Sequence, residues 1–427
     1  MEQTQQKVSV RALVDKEKNK LVFVEAGGDF VDILLSFLTL PMATIIRLAN
    51  ACPDGPPDKV KVGCLQTLYQ SVVNIEAKYL SSDQCKDMLI TPKNLREDLC
   101  KRLKINVEDS EPVRYFLCRN CCSGLSTKEN TRCSCGKLME WKIRAMEDSS
   151  IAAGGYEGIF VSESASFIIT DDLKINENSV AESLSIINNL GIKDMKNIKS
   201  LWVSFGLKEI TYLLKLSLIS KTPMTDLVMD TIGLSDMKNS GCGISLSYSG
   251  LSTCKVMTIK LMIQSSIKKV LFALVEEDFV DFLFSILAIP LGSVLLLSGY
   301  NSNPGSLDKL YQGIDVLNVD KLVKSLDLKY KLLYPIVAPE SICKALEHPP
   351  IARGGFVSKP AKFMVTDDLV VTPYSSTSSI SALDLLKVPV SDVEHMMVSI
   401  GPMEALRILK ACVYSTSVFT YFYYNIS

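Results

Sequence analysis

Five cysteines between positions 118 and 135 are the side chains best able to do chemistry in this sequence. Cys118 and Cys121 are separated by two residues, and Cys133 and Cys135 follow eleven residues later, with Gly136 next. Two short cysteine pairs on a loop that folds back offer four soft thiolate ligands, the set that tetrahedral Zn²⁺ prefers. Four protein ligands leave no open coordination position, so the spacing predicts a structural zinc site rather than a catalytic one.

Two features of the cluster leave other interpretations open. The second pair is C-x-C rather than the commoner C-x-x-C, and Cys122 is a second candidate for the position of Cys121. Free thiols or a redox pair are the alternatives to zinc. The second half of the chain carries only Cys343 between Tyr330 and Gly354, so we expect the zinc site in an insert of the first half.

The cysteine cluster lies in a basic stretch between Pro112 and Met146. Seven cations and two carboxylates give this stretch a local charge of +5. They are Arg114, Arg119, Lys128, Arg132, Lys137, Lys142 and Arg144, against Glu129 and Glu140. Together with Tyr115, Phe116 and Trp141, such a surface could bind nucleic acid. The net charge of −1 for the whole chain favours a plainer interpretation, a solvated rim with the aromatic rings packed beneath it.

No other motif predicts a catalytic or cofactor-binding residue. Thr170-Asp171-Asp172 and Thr366-Asp367-Asp368 pair two carboxylates, but adjacent strand residues point to opposite faces, which favours turn hydrogen bonds. Gly27-Gly28 is placed like a phosphate-binding turn, but the rest of that pattern is absent, and the second half has Glu276-Glu277 there. His395, in a predicted helical stretch, has no nucleophile motif beside it.

Length and composition describe a globular chain of two or three domains. Of the 427 residues, 47% are hydrophobic and 22% are charged. Thirteen cysteines and a polar start predict reduced thiols, and therefore the cytosol or nucleus. The uncharged run from Phe282 to Tyr300 is long enough to span a bilayer, but its counterpart from Ile33 to Ile46 is too short. We therefore predict no membrane span.

Four segments recur in the same order along the chain, which indicates an internal duplication. The pairs are DFVDILLSFLTLP at 29–41 with DFVDFLFSILAIP at 278–290, LQTLYQSV at 65–72 with LDKLYQGI at 307–314, FIITDDL at 167–173 with FMVTDDL at 363–369, and VSFGLKE at 203–209 with VSIGPME at 398–404. We predict a first lobe at 7–229, a Gly/Ser-rich linker at 230–254, and a second lobe at 255–427. The cysteine-rich insert spans about 112–146.

The pattern of elements predicts an α+β fold. Each lobe begins with two strand-like segments, followed by a helix that Asp29 or Asp278 is placed to cap and that Pro41 or Pro290 ends or kinks. More helices follow, around 180–190 and 207–218 in the first lobe. The expected architecture is a tandem duplication of one α/β lobe with mostly antiparallel sheets and a zinc ribbon-like insert.

With these segments in place, the chain resembles a plant family catalogued as domain of unknown function 674. The resemblance is carried by FVDILLSFLTLP, LQTLYQSV, CSCGKLM and the repeated TDDL, and it covers nearly the whole chain. It implies a plant protein and adds no catalytic residue, because no activity is established for the family. The C-terminus departs from the repeat: the aromatic segment Phe419–Tyr424 is either an exposed patch or packed on its own lobe.

These observations favour a non-enzymatic protein-interaction module or scaffold with a structural zinc site and an unidentified protein partner. A nucleic-acid-associated protein that uses the basic insert is the second hypothesis. An enzyme with a site between the lobes is the third.

Overall fold

A computed structural model describes most of the chain. The described residues are 6–52, 62–81, 83–109, 114–120, 125–126, 129–133, 135–143, 158–232, 256–298, 306–319, 321–335, 355–358 and 361–425. Most of the predicted linker therefore lies outside the described residues, as do Cys121, Cys122 and Cys343. Below, residues 6–232 are called the first half and residues 256–425 the second half.

The first half combines long strands, short helices and a group of very short strands. Its strands are β1 (Val8–Asp15), β2 (Lys20–Gly27), β3 (Tyr115–Leu117), β4 (Leu125–Ser126), β5 (Thr131–Arg132), β6 (Leu138–Met139), β7 (Trp141–Ile143), β8 (Ser166–Ile169), β9 (Ile175–Glu177) and β10 (Ile198–Phe205). Its helices are α1 (Gly28–Ser36), α2 (Met42–Ala51), α3 (Leu65–Asn74), α4 (Asp83–Ile90), α5 (Glu97–Cys100), α6 (Val180–Asn189), α7 (Leu207–Ile219) and α8 (Pro223–Thr231).

The second half follows the same plan without the group of very short strands in its described part. Its strands are β11 (Met257–Gln264), β12 (Lys269–Glu276), β13 (Lys362–Thr366), β14 (Val371–Pro373) and β15 (Val393–Ile400). Its helices are α9 (Glu277–Ser285), α10 (Leu291–Ser298), α11 (Leu307–Val316), α12 (Leu326–Leu333), α13 (Ser376–Leu385), α14 (Pro402–Tyr414) and α15 (Val418–Tyr424).

Each half contains a five-stranded antiparallel sheet, and strands matched by the sequence repeats occupy the same places in both. The first sheet has the order β10-β1-β2-β8-β9, and the second has β15-β11-β12-β13-β14. The hairpin register shifts between Leu13 and Val14 in the first sheet, and between Met262 and Ile263 in the second. An α+β fold with antiparallel sheets was predicted and is confirmed.

The alternation of residue types along β1 decides which face of the first sheet meets the core. Val8, Val10 and Ala12 are buried, whereas Ser9 and Arg11 are exposed. Because successive strand residues point to opposite faces, the apolar set forms the inner face. The outer face is covered at one end by α6 in the first sheet and by α13 in the second.

Helices α1 and α9 begin where the second strand of each hairpin ends. Their N-cap residues are Gly27 and Glu276, so the prediction that Asp29 and Asp278 cap these helices is wrong. Both aspartates lie inside the first turn, where a carboxylate is stabilised by the helix dipole. Asp29 also pairs with Lys104, whose ammonium lies 2.9 Å from Asp29 Oδ2.

The two halves share one continuous hydrophobic core, which contains residues of both. Reciprocal backbone hydrogen bonds join them at its centre. The N–H of Met42 donates to the carbonyl of Ile289 at 3.0 Å, and the N–H of Leu291 donates to the carbonyl of Leu40 at 2.9 Å. The first turns of α2 and α10 are thereby fixed against each other.

Helices α3 and α11 each pack on the half to which they do not belong. Helix α3 contacts α9 and β14, and α11 contacts β9. The Ser71 hydroxyl accepts a hydrogen bond from the N–H of Val371 at 3.0 Å and donates to the carbonyl of Leu369 at 3.2 Å. At the matched place, a Cβ on Gly313 would lie 3.1 Å from the backbone nitrogen of Ile175. Because α3 also contacts α2 and α4, and α11 also contacts α10 and α12, each of the two helices joins both halves. We call these reciprocal contacts the exchange of α3 and α11.

The repeated TDDL segment is a turn that follows a strand. Strand β8 ends at Ile169, and β13 ends at Thr366. The two turn leucines, Leu173 and Leu369, have φ angles of 64° and 66° and are fully buried. A left-handed backbone at a non-glycine residue costs roughly 1–3 kcal/mol. Burial of the leucine side chain, about 1.5–3 kcal/mol, is of the size needed to offset it.

Two local expectations are corrected or decided by the structure. His395 lies in strand β15, so its assignment to a helix is wrong. This edge strand is exposed over most of its length, and its sequence therefore lacks the alternation that marks a half-buried strand. In the C-terminal segment, Phe419 and Phe422 are fully buried within α15, whereas Tyr424 is exposed. One face of the aromatic segment thus packs on its own half.

Candidate metal centre

The predicted cysteine ligands are carried by the short strands between Asp109 and Gly158. Strands β4, β3 and β7 form a three-stranded antiparallel sheet in that order, and β5 pairs with β6. We call this group of strands, residues 114–143, the ribbon. Cys118 directly follows β3, and Cys133 directly follows β5. The two hairpins therefore present their cysteines at strand ends.

Three of the four predicted ligands converge in the ribbon. The sulfur atoms of Cys118, Cys133 and Cys135 all lie within 4.8 Å of one another, and Cys118 Sγ is 3.5 Å from Cys135 Sγ. Cys118 and Cys133 are buried, and Cys135 is exposed. Cys121, the fourth predicted ligand, and its alternative Cys122 lie outside the described residues.

The turn that carries Cys133 and Cys135 has a backbone geometry that requires glycine. The N–H of Cys133 donates to the carbonyl of Lys137, and the N–H of Gly136 donates to the carbonyl of Cys133, each at 2.8 Å. Gly136 has a φ of +84°, a conformation that residues with a Cβ rarely adopt. This tight turn brings the two sulfur atoms onto the same side of the ribbon.

The convergence of sulfur atoms fits a tetrahedral metal ion. Zn–S bonds of about 2.3 Å place neighbouring sulfur atoms of a tetrahedron about 3.8 Å apart. The separation of 3.5 Å between Cys118 and Cys135 and the 4.8 Å limit for all three pairs are close to that spacing. The donor set is entirely thiol among the described ligands, which suits Zn²⁺ and not a hard cation.

Few apolar side chains hold the ribbon together. Phe116, Cys118, Cys133 and Met139 form a buried cluster that is separate from the main core. A module of this size has too little apolar surface to stabilise itself by burial alone. A bound metal would therefore contribute much of its folding free energy.

The exposed ring of Trp141 and the cation of Lys142 lie on opposite faces of the ribbon's three-stranded sheet. Phe116 is opposite Lys142 in the register and faces the cysteine cluster, whereas Trp141 is opposite Leu117 on the other face. Trp141 is exposed and Phe116 is buried. A stacking platform for bases combines exposed rings and cations on one face, and Trp141 and Lys142 do not form such a pair.

The paired aspartates of the TDDL turns do not converge. Asp171 accepts hydrogen bonds from the N–H and Oγ1 of Thr225, both at 2.8 Å, whereas Asp172 accepts one from Thr170. Thr225 Oγ1 in turn accepts the N–H of Leu21 at 3.0 Å. The aspartate therefore fixes the start of α8 on the first sheet.

The second half repeats this network at its last helix. Asp367 accepts hydrogen bonds from the N–H of Thr420 at 2.9 Å and from its Oγ1 at 2.7 Å, and Thr420 Oγ1 accepts the N–H of Val270. Burial raises the pKa of Asp171 to about 6 and also raises the pKa of Asp367. Thr225 and Thr420, in PMTDL and VFTYF, are the sequence signal that reveals how the two chain segments correspond.

Sequence reasoning missed a buried aspartate in each half. Asp32 is fully buried and accepts hydrogen bonds from the backbone N–H groups of Ile159, Phe160 and Val161. The matched residue, Asp281, accepts the N–H of Val357 at 2.8 Å. The only signal was a charged residue inside an apolar run, DFVDILLSF. These aspartates hold a loop against the first helix of each half.

Most buried thiols of the main core are poor nucleophile candidates. Burial raises the pKa of Cys64 and of Cys100 to about 12, and it raises the pKa of Cys412 as well. A thiol that stays protonated reacts slowly, because the thiolate is the reactive form. Cys64 and Cys412 instead lie where the start of α3 meets α14 of the other half. There the N–H of Cys64 donates to the carbonyl of Cys412 at 2.9 Å.

The second glycine of the pair where β2 ends, Gly28, is explained by a close backbone approach. A Cβ on Gly28 would lie 2.8 Å from the carbonyl oxygen of Ser162, closer than a side chain tolerates. Gly27 is the N-cap of α1 and has an extended backbone. Gly28 therefore allows the chain to pass beneath the 158–165 loop, whereas a Cβ on Gly27 would meet only the side chain of Asp29.

An open groove of about 580 Å³ lies beside the second sheet where α9 begins. Lys260, Glu276, Lys362, Tyr374 and Met397 are among its lining residues, all of which belong to the second half. The groove is therefore not a cleft between the halves.

Every helix in the described part of the chain falls short of the length and hydropathy that crossing a bilayer requires. The uncharged run that begins at Phe282 is divided among α9, a 3-10 turn at 286–288 and α10. Most of its residues are buried in the core.

These features define the class of the molecule: an α+β protein with two antiparallel sheets on one core and a small, separate cysteine-rich group of strands. The family model described as "Protein of unknown function (DUF674)" matches residues 4–352 and 344–403. The chain belongs to this family. No curated protein and no solved structure matches it.

Proposed function

We propose that this protein is a non-enzymatic interaction protein built from two copies of one α/β unit. The copies are residues 7–229 and 255–427, joined by a linker at 230–254, and the first carries a structural zinc site in the insert at about 112–146. The shared strand order, the matched register shifts and the two Asp–Thr networks support the duplication. Reduced thiols favour the cytosol or nucleus.

Exposed apolar side chains at matched positions are the observation that carries the interaction role. Trp202 on β10 and Met397 on β15 are matched, and they are 75% and 59% exposed. Leu184 on α6 and Ile380 on α13 are also matched and exposed. Large apolar side chains in water are unfavourable, and aromatic side chains often supply most of the energy of protein interfaces. Their recurrence in both halves favours protein-binding surfaces.

The use of the buried reactive groups supports a non-enzymatic role. Asp32, Asp171 and their matched residues each accept backbone or threonine hydrogen bonds that fix a loop or helix. These aspartates stabilise the fold in both halves, which favours a structural role for them over proton transfer.

The interaction role is tested with two double variants at matched places. Trp202→Ser with Met397→Ser removes the exposed side chains, and Ser200→Ala with His395→Ala changes their neighbours on the same strands as a control. Capture from cell extract, with and without nuclease, should retain specific proteins on wild type and control but not on the first variant. Equal capture by all three would refute these surfaces, and nuclease-sensitive capture would favour the nucleic-acid hypothesis.

The zinc site is tested by metal analysis of the intact protein. Four thiolate ligands predict about one zinc ion per chain. Cys133→Ser should release it and increase hydrogen exchange in the ribbon, while the two sheets keep their protection because the ribbon has its own cluster. Cys52→Ser, a buried cysteine of α2's C-terminus, is the control. Absence of zinc from reduced wild-type protein would refute the site.

A further inference from the structure

The three clustered thiols differ in their access to solvent. Cys135 is exposed, whereas Cys118 and Cys133 are almost completely buried. An oxidant that arrives from solvent therefore meets Cys135 first. Access and thiolate character together decide which cysteine is oxidised, and a metal-bound cysteine is already a thiolate.

Among the described cysteines, the geometry also indicates a partner for an oxidised Cys135. Cys118 Sγ lies 3.5 Å away, on the opposite hairpin. A disulfide has an S–S length of about 2.05 Å, so the two atoms must approach by roughly 1.5 Å. Rotation of the exposed Cys135 side chain supplies much of this movement. Cys133, by contrast, is held in the same tight turn as Cys135, where both backbone segments are fixed by hydrogen bonds.

We propose that the ribbon is a peroxide-sensitive module in which Cys135 and Cys118 form a reversible disulfide. This inference rests on the proposed metal site and names its regulation.

The oxidation is a balanced two-electron reaction with hydrogen peroxide as the oxidant. The Cys135 thiolate attacks one peroxide oxygen, the O–O bond breaks, and hydroxide leaves, which gives a sulfenic acid at Cys135. The Cys118 thiolate then attacks that sulfur, the S–S bond forms, and a second hydroxide leaves. Two protons from solvent convert both hydroxides to water. A dithiol reductant reverses the change by thiol–disulfide exchange.

The disulfide removes two thiolate ligands at once. The remaining cysteines cannot hold Zn²⁺ with the affinity of a four-thiolate site, so the metal is released. Because the buried cluster of the ribbon is small and separate from the main core, the loss affects the ribbon and not the sheets. The new covalent bond joins the two hairpins, which keeps the ribbon able to rebind metal after reduction.

The test uses zinc-loaded full-length protein and hydrogen peroxide. Released zinc is followed with a colorimetric chelator, and disulfides are mapped by mass spectrometry of non-reduced peptides. We expect about one zinc released per peroxide consumed, a Cys118–Cys135 cross-link, and recovery of zinc binding after treatment with a dithiol. Cys52→Ser should behave as wild type, and Cys135→Ser should form no cross-link to Cys118.

The outcomes separate this inference from the metal proposal. Zinc release with a Cys133–Cys135 or Cys118–Cys133 disulfide, or retention of zinc under peroxide, would overturn the Cys118–Cys135 pair. Absence of zinc at the start would refute the metal site. Peroxide treatment of that metal-free protein would still decide the pair, since the same cross-link supports it and any other cross-link overturns it.

Discussion

At the scale of single residues, Asp171 shows how burial and hydrogen bonding oppose each other. Its carboxyl accepts two hydrogen bonds from Thr225, which favour the charged form. Burial has the larger effect and raises the pKa of Asp171 to about 6, and the neighbouring carboxylate of Asp226 adds to the rise. The Asp171 carboxyl therefore fixes α8 through Thr225. Ionisation of this buried group destabilises the folded state.

We expect the Asp171 carboxyl to titrate near pH 6 in the folded protein, above its ordinary pKa of 3.8. Because the pKa of Asp171 is higher in the folded than in the unfolded protein, its protonated form stabilises the fold. This stabilisation is fully present below pH 3.8. It is lost as the pH rises through about 6. Carbon-13 NMR of the side-chain carboxyl measures the titration, and urea unfolding over the same pH range measures the stability.

A matched variant tests the cause of this shift. Thr225→Val removes the hydroxyl hydrogen bond that favours the Asp171 carboxylate, so the pKa of Asp171 should rise further. Thr420→Val should have the same direction of effect at Asp367. An Asp171 pKa at or below 3.8, or one that Thr225→Val leaves unchanged, would contradict this account.

At the scale of elements, the first turn of α10 shows why matched helices differ in sequence. Gly292 lies where a Cβ would be 2.8 Å from the carbonyl oxygen of Leu332 and 3.2 Å from that of Leu38. The matched position in α2 is Ala43, which is fully buried. Backbone from both halves therefore lies too close to the first turn of α10 to leave room for a Cβ at position 292.

We expect Gly292→Ala to destabilise the protein, although alanine favours a helix over glycine by about 1 kcal/mol. Both contacts are to backbone, so α10 must move, and overpacking of this kind costs roughly 1–3 kcal/mol. The midpoint of urea unfolding should fall, whereas the slope of the unfolding free energy against urea concentration should not change. The reverse change, Ala43→Gly, should also destabilise, through helix propensity and lost packing. A raised midpoint for Gly292→Ala would show that the turn has room.

At the scale of the whole molecule, the exchange of α3 and α11 makes the two halves interdependent. Each sheet is completed by a helix from the other half, and the apolar core runs through both. Neither half can bury its own core without the other. Unfolding should therefore be one cooperative transition for both sheets.

Cleavage between the halves tests this interdependence in the full chain. A protease site placed within residues 240–250 allows the purified, folded protein to be cut once. We expect the two fragments to elute together under native conditions and to unfold in a single transition, because α3 and α11 hold them together. Separation into two folded fragments would show that the exchanged contacts are dispensable.

How much of this protein can be predicted from sequence follows from the range of each interaction. The α+β class, the hairpins and most helices depend on patterns within about ten residues, such as the alternation in VSVRA and the helical spacing in LQTLYQSV. The cysteine pairs are also local, so the convergence of Cys118, Cys133 and Cys135 was predictable from spacing and a glycine turn. Strand β15 escaped prediction because an exposed edge strand has no alternation.

Tertiary structure alone decided which segments meet across the chain. Nothing near Ser71 in sequence indicates that it bonds to Val371, three hundred residues away, and nothing near Asp171 indicates Thr225. The exchange of α3 and α11 is likewise invisible to local patterns, since a helix buries the same apolar face whichever half receives it. Local chemistry determines what each segment can form, whereas complementary shape and backbone hydrogen bonds over long sequence distances determine which segments are joined.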